Sequence, residues 1–284
     1  MPFVPAGVLL RAAQSGRYAV GAFNYNNLEI LQAIVQAAEA ERAPVILQAT
    51  PGAIRYAGLD YLAALARTAA AKATVPLALH LDHGTDPGLV AQCVQAGFSS
   101  VMIDGSKLPL AKNIALTRQV VETARRAGVS VEAELGKISG TEDEITVAEQ
   151  EALFTDPEEA RHFVAETGVD ALAVAVGTAH GVYRGEPKLD FERLSRIRAL
   201  VPVPLVLHGS SGVPGDAIRE AIARGVQKIN IDTDLRLALI GTVRQVLTEK
   251  PAEIDPRKVL GPAREAVLAV VRKKIRLFGS AGKA

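Results

Sequence analysis

The segment Leu79-His80-Leu81-Asp82-His83-Gly84 closes a short apolar run that begins at Pro76. A carboxylate and an imidazole therefore stand side by side where a glycine ends the run. Two further apolar runs have the same form, and each presents one histidine followed at once by a glycine, in His180-Gly181 and His208-Gly209. If the three runs are neighbouring parallel strands, the three imidazoles converge on one rim. Three imidazoles and an open position make a catalytic zinc site.

Length and composition favour one globular domain. The chain has 284 residues, of which 49% are hydrophobic and 22% are charged. A barrel built of strand–helix units routinely reaches about 250 residues as one domain. The 32 basic and 31 acidic residues leave a net charge of +1. This balance gives no electrostatic reason to expect nucleic acid or an anionic membrane as a partner.

Cysteine content and the first residues predict a cytoplasmic protein. Cys93 is the single cysteine, so no intrachain disulfide can form. Residues 1–5 lack the basic start of a secretory signal. No uninterrupted apolar run approaches the roughly 18 residues of a membrane span. We therefore expect a reducing compartment and no membrane partner.

Eight short apolar segments predict eight β-strands, and helical patterns separate them. The segments are apolar on both faces, as strands buried in a parallel sheet must be. They cover residues 19–24, 43–49, 76–81, 99–104, 130–135, 171–176, 204–207 and 228–232. The helical patterns cover residues 28–42, 61–71, 87–96, 110–127, 157–167, 191–200, 216–224 and 261–278. The alternation predicts an α/β protein, a single (β/α)8 TIM barrel over residues 1–284, with a doubly wound sheet as the alternative.

Two regions stand apart from this alternation. The longest irregular piece, residues 137–156, is rich in acidic residues and has the length and polarity of a mobile lid. Residues 255–284 are expected to form a C-terminal helical tail.

Polar residues gather at the predicted C-terminal ends of the strands. In a TIM barrel these ends form the mouth that carries the working residues. The residues concerned are Asn24, Asp82, His83, Asp104, Glu134, His180, His208, Asn230 and Asp232. A single histidine after an apolar run is more often a hydrogen-bonded core or loop residue. Three histidines at equivalent strand ends favour a metal site instead.

Several titratable residues have simpler explanations. His80 lies inside its strand and is expected to pack there or to orient a neighbouring ligand. His162 lies on a helix and is expected to be solvated. Asp104 and Glu134 fit equally well as carboxylates that cap the following helices and as a second metal position.

Two small polar loops predict a phosphate site. Gly209-Ser210-Ser211-Gly212 and Asn230-Ile231-Asp232-Thr233 end the last two predicted strands. Barrels of this architecture often hold a phosphate there, on backbone amides and small hydroxyls. Either loop alone is an ordinary turn sequence, so the signal comes from the pair.

Seven motifs together resemble those of the class II, metal-dependent aldolases that act on ketose bisphosphates. The motifs span residues 21–24, 81–84, 101–106, 131–136, 177–181, 207–209 and 228–230, which is nearly the whole chain in order. The resemblance implies reversible cleavage of fructose or tagatose 1,6-bisphosphate into dihydroxyacetone phosphate and glyceraldehyde 3-phosphate. It also implies a zinc ion, with room for a second divalent ion and a monovalent cation, and a homodimer or homotetramer.

The resemblance assigns roles to individual residues. It implies that His83, His180 and His208 hold the catalytic zinc, with Asp104 and Glu134 as the second metal position. It implies that Asp82 exchanges a proton with the hydroxyl at the bond being broken. Glu142, in the acidic segment, is implied to move the proton on the enediolate carbon. The substrate-binding residues implied are Asn24, Gly181, Gly209, Ser210, Ser211, Asn230, Ile231, Asp232 and Thr233.

Two other functions remain open. A Schiff-base aldolase uses the same barrel but needs a desolvated lysine at a strand end. Lys107 and Lys137 lie beyond their strands among polar residues, and Lys228 begins a strand at the opposite end, so none of them fits well. A non-catalytic sugar-phosphate-binding subunit with a structural metal would leave Asp82 and the lid without a purpose.

The sequence gives two candidates for the stereochemistry of the substrate and two candidates for the residue that binds the distal phosphate. The stretch Thr178-Ala179-His180-Gly181 resembles the tagatose-type branch, whereas residues 185–187 and 255–264 resemble bacterial fructose-bisphosphate enzymes. We favour fructose bisphosphate. Ser210 stands where relatives more often have glycine or alanine. The distal phosphate is assigned to Arg257 or Arg264, each of which is equally well explained as a surface cation.

Overall fold

The computed structural model describes residues 3–142, 145–147, 153–183 and 185–284, with the backbone alone at 139, 141–142 and 145–147. Within these residues the elements are, in chain order, α1 (Ala6–Gly16), β1 (Val20–Asn24), α2 (Leu28–Glu41), β2 (Val45–Ala49), α3 (Pro51–Ala57), α4 (Leu59–Lys72), β3 (Leu77–Gly84), α5 (Pro87–Gln95), β4 (Ser100–Ile103), α6 (Leu110–Arg126), β5 (Ser130–Leu135), β6 (Ser139–Glu142), β7 (Ile145–Val147), α7 (Pro157–Thr167), β8 (Ala171–Val174), β9 (Ala179–His180), α8 (Phe191–Leu200), β10 (Leu205–Leu207), α9 (Gly215–Ala223), β11 (Val226–Ile231), α10 (Thr233–Glu249) and α11 (Pro256–Leu277).

Eight of these strands close into a parallel barrel in the order β1-β11-β10-β8-β5-β4-β3-β2. Because β1 pairs with both β2 and β11, the sheet has no free edge. The predicted TIM barrel is confirmed, and the doubly wound sheet is wrong. All eight predicted barrel strands are present with small shifts at their ends.

The barrel strands are buried on both faces, and their two-residue period divides the interior into layers. Alternate residues of one face build a small apolar cluster with α1 at the N-terminal end of the barrel, including Val20, Ala78, Ala171 and Val206. The opposite faces of the strands pack with the outer helices in the main hydrophobic core. Toward the mouth of the barrel, the inward-facing positions of the strands carry polar side chains instead of alanine and valine. The site therefore lies directly above a layer of packed apolar side chains.

Three helices and one helix start were not predicted. Helices α1, α3 and α10 lie outside the predicted patterns, and α11 begins at Pro256 rather than at residue 261. The Asp255 side chain caps α11 by accepting from the backbone N–H of Arg257, and Pro256 occupies the first turn. Gly261 and Pro262 therefore lie inside the helix. Packing of α11 on α2 and α10 outweighs the weak local helix propensity of these two residues.

The acidic segment is not wholly irregular. Strands β6 and β7 form an antiparallel pair, and β6 also pairs in parallel with β9. The backbone of Lys137 bonds to that of Leu153, which draws the two ends of the segment together. Residues 143–144 and 148–152 lie outside the described residues, and the movement of the segment stays a prediction. In the described part of the chain, no helix has both the length and the apolar character needed to cross a membrane.

Candidate metal and substrate site

Three histidines meet at the C-terminal mouth of the barrel. The ring centroid of His83 lies 5.1 Å from that of His180 and 4.5 Å from that of His208. One ring nitrogen from each of the three residues lies within 4.8 Å of the other two. The expected convergence is confirmed, and the three nitrogens are close enough together to share one metal ion.

The three histidines do not occupy equivalent strand ends, contrary to the sequence prediction. His83 lies within β3, at a register shift between Leu81 and Gly84, and has a left-handed backbone with φ 50°. His208 follows β10 directly. His180 lies on the separate strand β9, beyond the end of β8. Its position depends on long-range pairing, which no local pattern reveals.

Strand β9 approaches β6 so closely that only glycine fits opposite His180. Gly140 pairs with His180 and has φ +100°, a conformation that side chains disfavour. A Cβ atom at residue 140 would overlap the carbonyl oxygen of His180. The start of the acidic segment is thus part of the scaffold that positions one of the three imidazoles.

Carboxylates hold two of the rings from outside the cluster. Asp104 Oδ2 lies 3.2 Å from His83 Nδ1, and Glu132 Oε1 lies 2.8 Å from His208 Nε2. Burial alone would raise the pKa of Asp104, but the hydrogen bond and charge of His83, with the Ser106 contacts, hold that pKa below its usual range. An ionised carboxylate accepts, so Asp104 and Glu132 each favour a ring form that carries an N–H on the nitrogen facing them.

The donor set that remains fits a cation. Once the outer nitrogens carry the protons, His83 Nε2 and His208 Nδ1 face each other with lone pairs at 2.8 Å. Two facing lone pairs repel unless both nitrogens share a proton or bind the same cation to one side of the line that joins them. Neutral imidazole nitrogens of this kind are the ligands that zinc prefers, so the residues present fit the metal ion that the motifs imply.

A second group of possible ligands overlaps the first. His83, Asp104 and Glu134 also place one ligand atom each within 4.8 Å of the others. The helix-cap alternative for the two carboxylates is wrong. Asp104 accepts from Ser106 in the turn after β4, whereas α6 starts only at Leu110, and the helix after Glu134 is capped by Asp156.

Asp82 is fully buried and is held by three neutral amides. Its Oδ2 accepts from Asn24 Nδ2 at 2.9 Å and from Gln48 Nε2 at 3.0 Å, and its Oδ1 accepts from Asn230 Nδ2 at 3.1 Å. Gln48 also donates to Asn24 Oδ1 at 2.6 Å, which ties the donors together. These bonds satisfy a buried carboxylate and set its orientation. Gln48 was missed by the sequence analysis, although a lone glutamine at the end of an apolar strand was a usable signal.

The two predicted phosphate loops line one cavity beside the histidines. Its lining residues are Asn24, Ala179, His180, Gly181, Gly209, Ser210, Ser211, Asn230, Asp232, Thr233 and Arg236. Of the predicted loop residues, Gly212 and Ile231 are absent from this lining, and the Ile231 side chain packs in the core. Arg236 was missed by the sequence analysis. It lies one turn after Asp232, and its Nη2 is 2.6 Å from Asp232 Oδ2.

Tyr183 fastens the two sides of this cavity to each other. Its hydroxyl donates to the carbonyl oxygen of Gly209 at 2.7 Å and accepts from the backbone N–H of Ala179 at 2.7 Å. Gly209 has φ +61°, and a Cβ there would overlap the Ala179 carbonyl. The Ser210 hydroxyl donates to the Leu207 carbonyl at 3.2 Å, so the serine side chain is accommodated in this loop.

Three other predicted site residues lie elsewhere or are undescribed. Arg257 is 88% exposed and paired with Asp255, and Arg264 donates to Gln32 on α2 at 3.0 Å. Neither lines the cavity, and a phosphate role for either stays a prediction. Glu142 ends β6, and its side chain lies outside the described residues.

A charged network lies inside the barrel below the histidines. Lys228 is the third residue of β11 and its ammonium is 2.9 Å from Glu132 Oε2, so the prediction that it starts a strand at the opposite end is wrong. It remains a poor Schiff-base lysine, since it is paired and does not line the cavity. Burial, with the charge of Lys228, lowers the pKa of His80 well below its ordinary value. His80 packs in the barrel, and His162 is exposed, both as predicted.

Comparisons with known proteins agree over the whole chain. The profile of the family described as fructose-bisphosphate aldolase class-II matches residues 4–283. A fructose-bisphosphate aldolase of Thermus caldophilus is 48% identical over 97% of this chain and 98% of its own. The crystal structure of the YdjI aldolase from Escherichia coli K12 superposes with a TM-score of 0.88 at 34% identity, covering 100% of both chains. A proposed fructose-1,6-bisphosphate aldolase from Coccidioides immitis has a TM-score of 0.88 at 36% identity over 97% of this chain and 96% of its own.

Proposed function

This chain belongs to the class II fructose-bisphosphate aldolase family and is an aldolase, and from that premise we propose the metal, the substrate and the residue roles. We propose that it cleaves fructose 1,6-bisphosphate reversibly into dihydroxyacetone phosphate and glyceraldehyde 3-phosphate. The observation that carries the proposal is the convergence of three histidine nitrogens within 4.8 Å beside the buried Asp82.

We assign one zinc ion to His83, His180 and His208. When bound, the ion supplies a Lewis acid that stabilises negative charge developing on substrate oxygens. Asp104 and Glu134 are suited to a second divalent ion, because their carboxylates lie within reach of the His83 ring. A monovalent cation is a further candidate, for which no residue set is assigned.

Asp82 is proposed to take the proton from the substrate hydroxyl at the bond that breaks. Asn24 and Asn230 each bond to Asp82 and also line the cavity. A sugar bound in the cavity therefore lies next to a carboxylate whose two oxygens are already oriented. Fixed orientation shortens the search for a productive hydrogen bond and is a recognised source of rate enhancement.

The cavity loops are proposed to hold the phosphate of the dihydroxyacetone portion. Gly181, Gly209, Ser210, Ser211, Asp232 and Thr233 converge there at the N-terminus of α10. Unpaired backbone N–H groups and the positive end of the helix dipole favour an anion at such a terminus. The Ser211 hydroxyl accepts from the Asp234 backbone N–H at 3.2 Å, which ties the loop to that helix.

The distal phosphate is proposed to meet Arg257 or Arg264, which lie outside the cavity assigned to the dihydroxyacetone phosphate. Arg236 lines that cavity and is suited to the nearer phosphate, since a guanidinium binds phosphate with two parallel hydrogen bonds. Replacing each arginine by methionine separates them. The variant that loses the distal contact is expected to raise KM for the bisphosphate without slowing proton exchange on dihydroxyacetone phosphate, which has no distal phosphate.

Tagatose 1,6-bisphosphate is the second candidate substrate, since it differs from the fructose isomer at a single stereocentre. The 48% identical relative is named a fructose-bisphosphate aldolase, which supports the fructose isomer. The two are separated by the ratio of kcat/KM values measured on both bisphosphates with zinc-loaded protein. A ratio that favours tagatose bisphosphate would reverse the assignment.

Metal dependence has a direct test. Chelator treatment is expected to abolish cleavage, and added zinc to restore it, whereas borohydride with dihydroxyacetone phosphate should leave the protein active. Covalent trapping by borohydride would indicate a Schiff base instead.

A homo-oligomer is proposed on the exposed apolar face of α10. Leu237, Ile240 and Leu247 share one face of this helix and are 57%, 44% and 40% exposed, respectively. Such side chains usually lie in an interface when they recur along one face. Light scattering during gel filtration should give at least twice the 29.9 kDa chain mass, and a monomer would contradict the proposal.

A further inference from the structure

A buried ion pair lies inside the barrel beneath the three histidines. The Lys228 ammonium lies 2.9 Å from Glu132 Oε2 and 3.2 Å from Oε1. The side chains are 0% and 3% exposed, respectively. Moving the two charged groups out of water costs several kcal/mol per ion. The attraction between them in the interior offsets this cost only in part or by a small margin. The pair is therefore poorly explained as a source of stability alone.

Glu132 has a second partner, the ring of His208. Its Oε1 lies 2.8 Å from His208 Nε2. An ionised carboxylate only accepts, so a neutral His208 ring places its N–H at Nε2 and keeps a lone pair at Nδ1. That lone pair points into the cluster, where Nδ1 lies 2.8 Å from His83 Nε2 and 3.8 Å from Glu134 Oε2.

His83 shows the same arrangement with a different carboxylate. Its Nδ1 faces Asp104, which itself belongs to one of the two groups able to hold an ion. Glu132 belongs to neither group, although it touches a histidine directly. Glu132 is therefore placed to accept a hydrogen bond from the His208 ring rather than to bind an ion.

We propose that Lys228 and Glu132 form a positioning pair that selects Nδ1 as the nitrogen with which His208 binds the metal ion. This inference rests on the proposed zinc site. Lys228 supplies the positive charge that keeps an anionic acceptor inside the barrel, and Glu132 takes the ring N–H. Without the pair, the proton of a neutral His208 can occupy Nδ1 and block the nitrogen that faces the cluster. Second partners of this kind typically change metal affinity about 10- to 100-fold.

A double variant separates positioning from stability. Glu132→Leu combined with Lys228→Met removes both charges and the acceptor while keeping side chains of similar size, a replacement that is often neutral or stabilising. We expect a folded protein with an unfolding temperature near that of the wild type. Its zinc dissociation constant, measured by competition with a chromophoric chelator, should rise about 10- to 100-fold.

The ring itself offers a readout that a purely structural pair would not change. In ¹⁵N-labelled, metal-free protein, the imidazole nitrogen shifts distinguish the two neutral tautomers. We expect the Nε2–H form of His208 in the wild type and a mixture in the double variant. Gln227→Met is the matched control, because Gln227 is also buried in the barrel wall and its hydrogen bond goes to the backbone N–H of Leu205 rather than to His208 or Glu132. It should keep wild-type affinity and tautomer.

The outcomes are distinguishable. A folded double variant with wild-type zinc affinity and an unchanged His208 tautomer would overturn the positioning role and leave the pair as a structural one. If the double variant fails to fold, Glu132→Gln, which keeps the side-chain shape with a weaker acceptor, should weaken zinc binding, and unchanged affinity there would overturn the role. A wild type that binds no zinc would refute the proposed metal site rather than this inference alone.

Discussion

Replacing Gln48 by methionine tests whether the amide network orients Asp82. The substitution keeps an unbranched side chain of similar length and removes one hydrogen bond to a carboxylate and one to Asn24. A bond to a charged group contributes about 1.5–3 kcal/mol and a neutral bond about 0.5–1.5 kcal/mol. We expect a loss of about 2–4.5 kcal/mol in the free energy of unfolding, measured by denaturant titration.

The same change should slow cleavage at saturating substrate. A loss of about 1.4 kcal/mol of transition-state stabilisation is tenfold in rate, so partial misorientation of Asp82 should lower kcat at least about tenfold. KM should change little, because Gln48 does not line the substrate cavity. Steady-state kinetics on fructose 1,6-bisphosphate with zinc-loaded protein measure both constants.

Gln227→Met is the matched control. Gln227 is also a buried strand glutamine, but its Oε1 accepts from the Leu205 backbone N–H at 3.3 Å, away from Asp82. It should lose stability and keep its kcat. Equal kcat values for the Gln48 variant and the wild type, in a protein destabilised as expected, would refute the orienting role and leave a packing role only.

Three further variants test other parts of the site. His208→Ala should release zinc and abolish cleavage, as measured by metal analysis after gel filtration, and a fully active variant would remove this residue from the ligand set. Glu142→Ala should slow solvent proton exchange on dihydroxyacetone phosphate at normal metal content, and an unchanged exchange rate by NMR would disprove the lid assignment. Tyr183→Phe removes two neutral hydrogen bonds of about 0.5–1.5 kcal/mol each, so KM should rise about 5- to 100-fold, and an unchanged KM would show that Tyr183 does not position the phosphate loops.

Much of the barrel and part of the site could be predicted because the signals are local. Buried parallel strands are apolar on both faces, and a polar residue at their C-terminal ends is conspicuous in such a run. The same two-residue period places Glu132 in phase with Glu134 and Lys228 in phase with Asn230, pointing into the barrel. That period was available in the sequence, but no local rule states that two charges in different strands will meet.

The missed features depend on contacts between distant segments. His180 was predicted as a site residue, but its place on the separate strand β9 depends on the pairing of β9 with β6. Arg236 was missed, and it reaches the cavity because α10 starts inside a phosphate loop. The acidic segment looks irregular by composition, yet its described residues include the antiparallel pair β6 and β7, and β6 supports the strand that carries His180. The pairing of two short strands depends on the neighbouring strands and on backbone geometry, and the sequence of one strand alone does not determine it.

The amino-acid sequence by itself determined the alternation of strands and helices, the barrel and the three histidines, since hydrophobic period and residue chemistry act over a few neighbouring positions. Only the tertiary structure decided which ring nitrogens of His83 and His208 face each other, that three amides hold Asp82, and that Lys228 lies against Glu132. Those relations join residues far apart in the chain, and they exist only once the barrel has closed and brought its inward faces together.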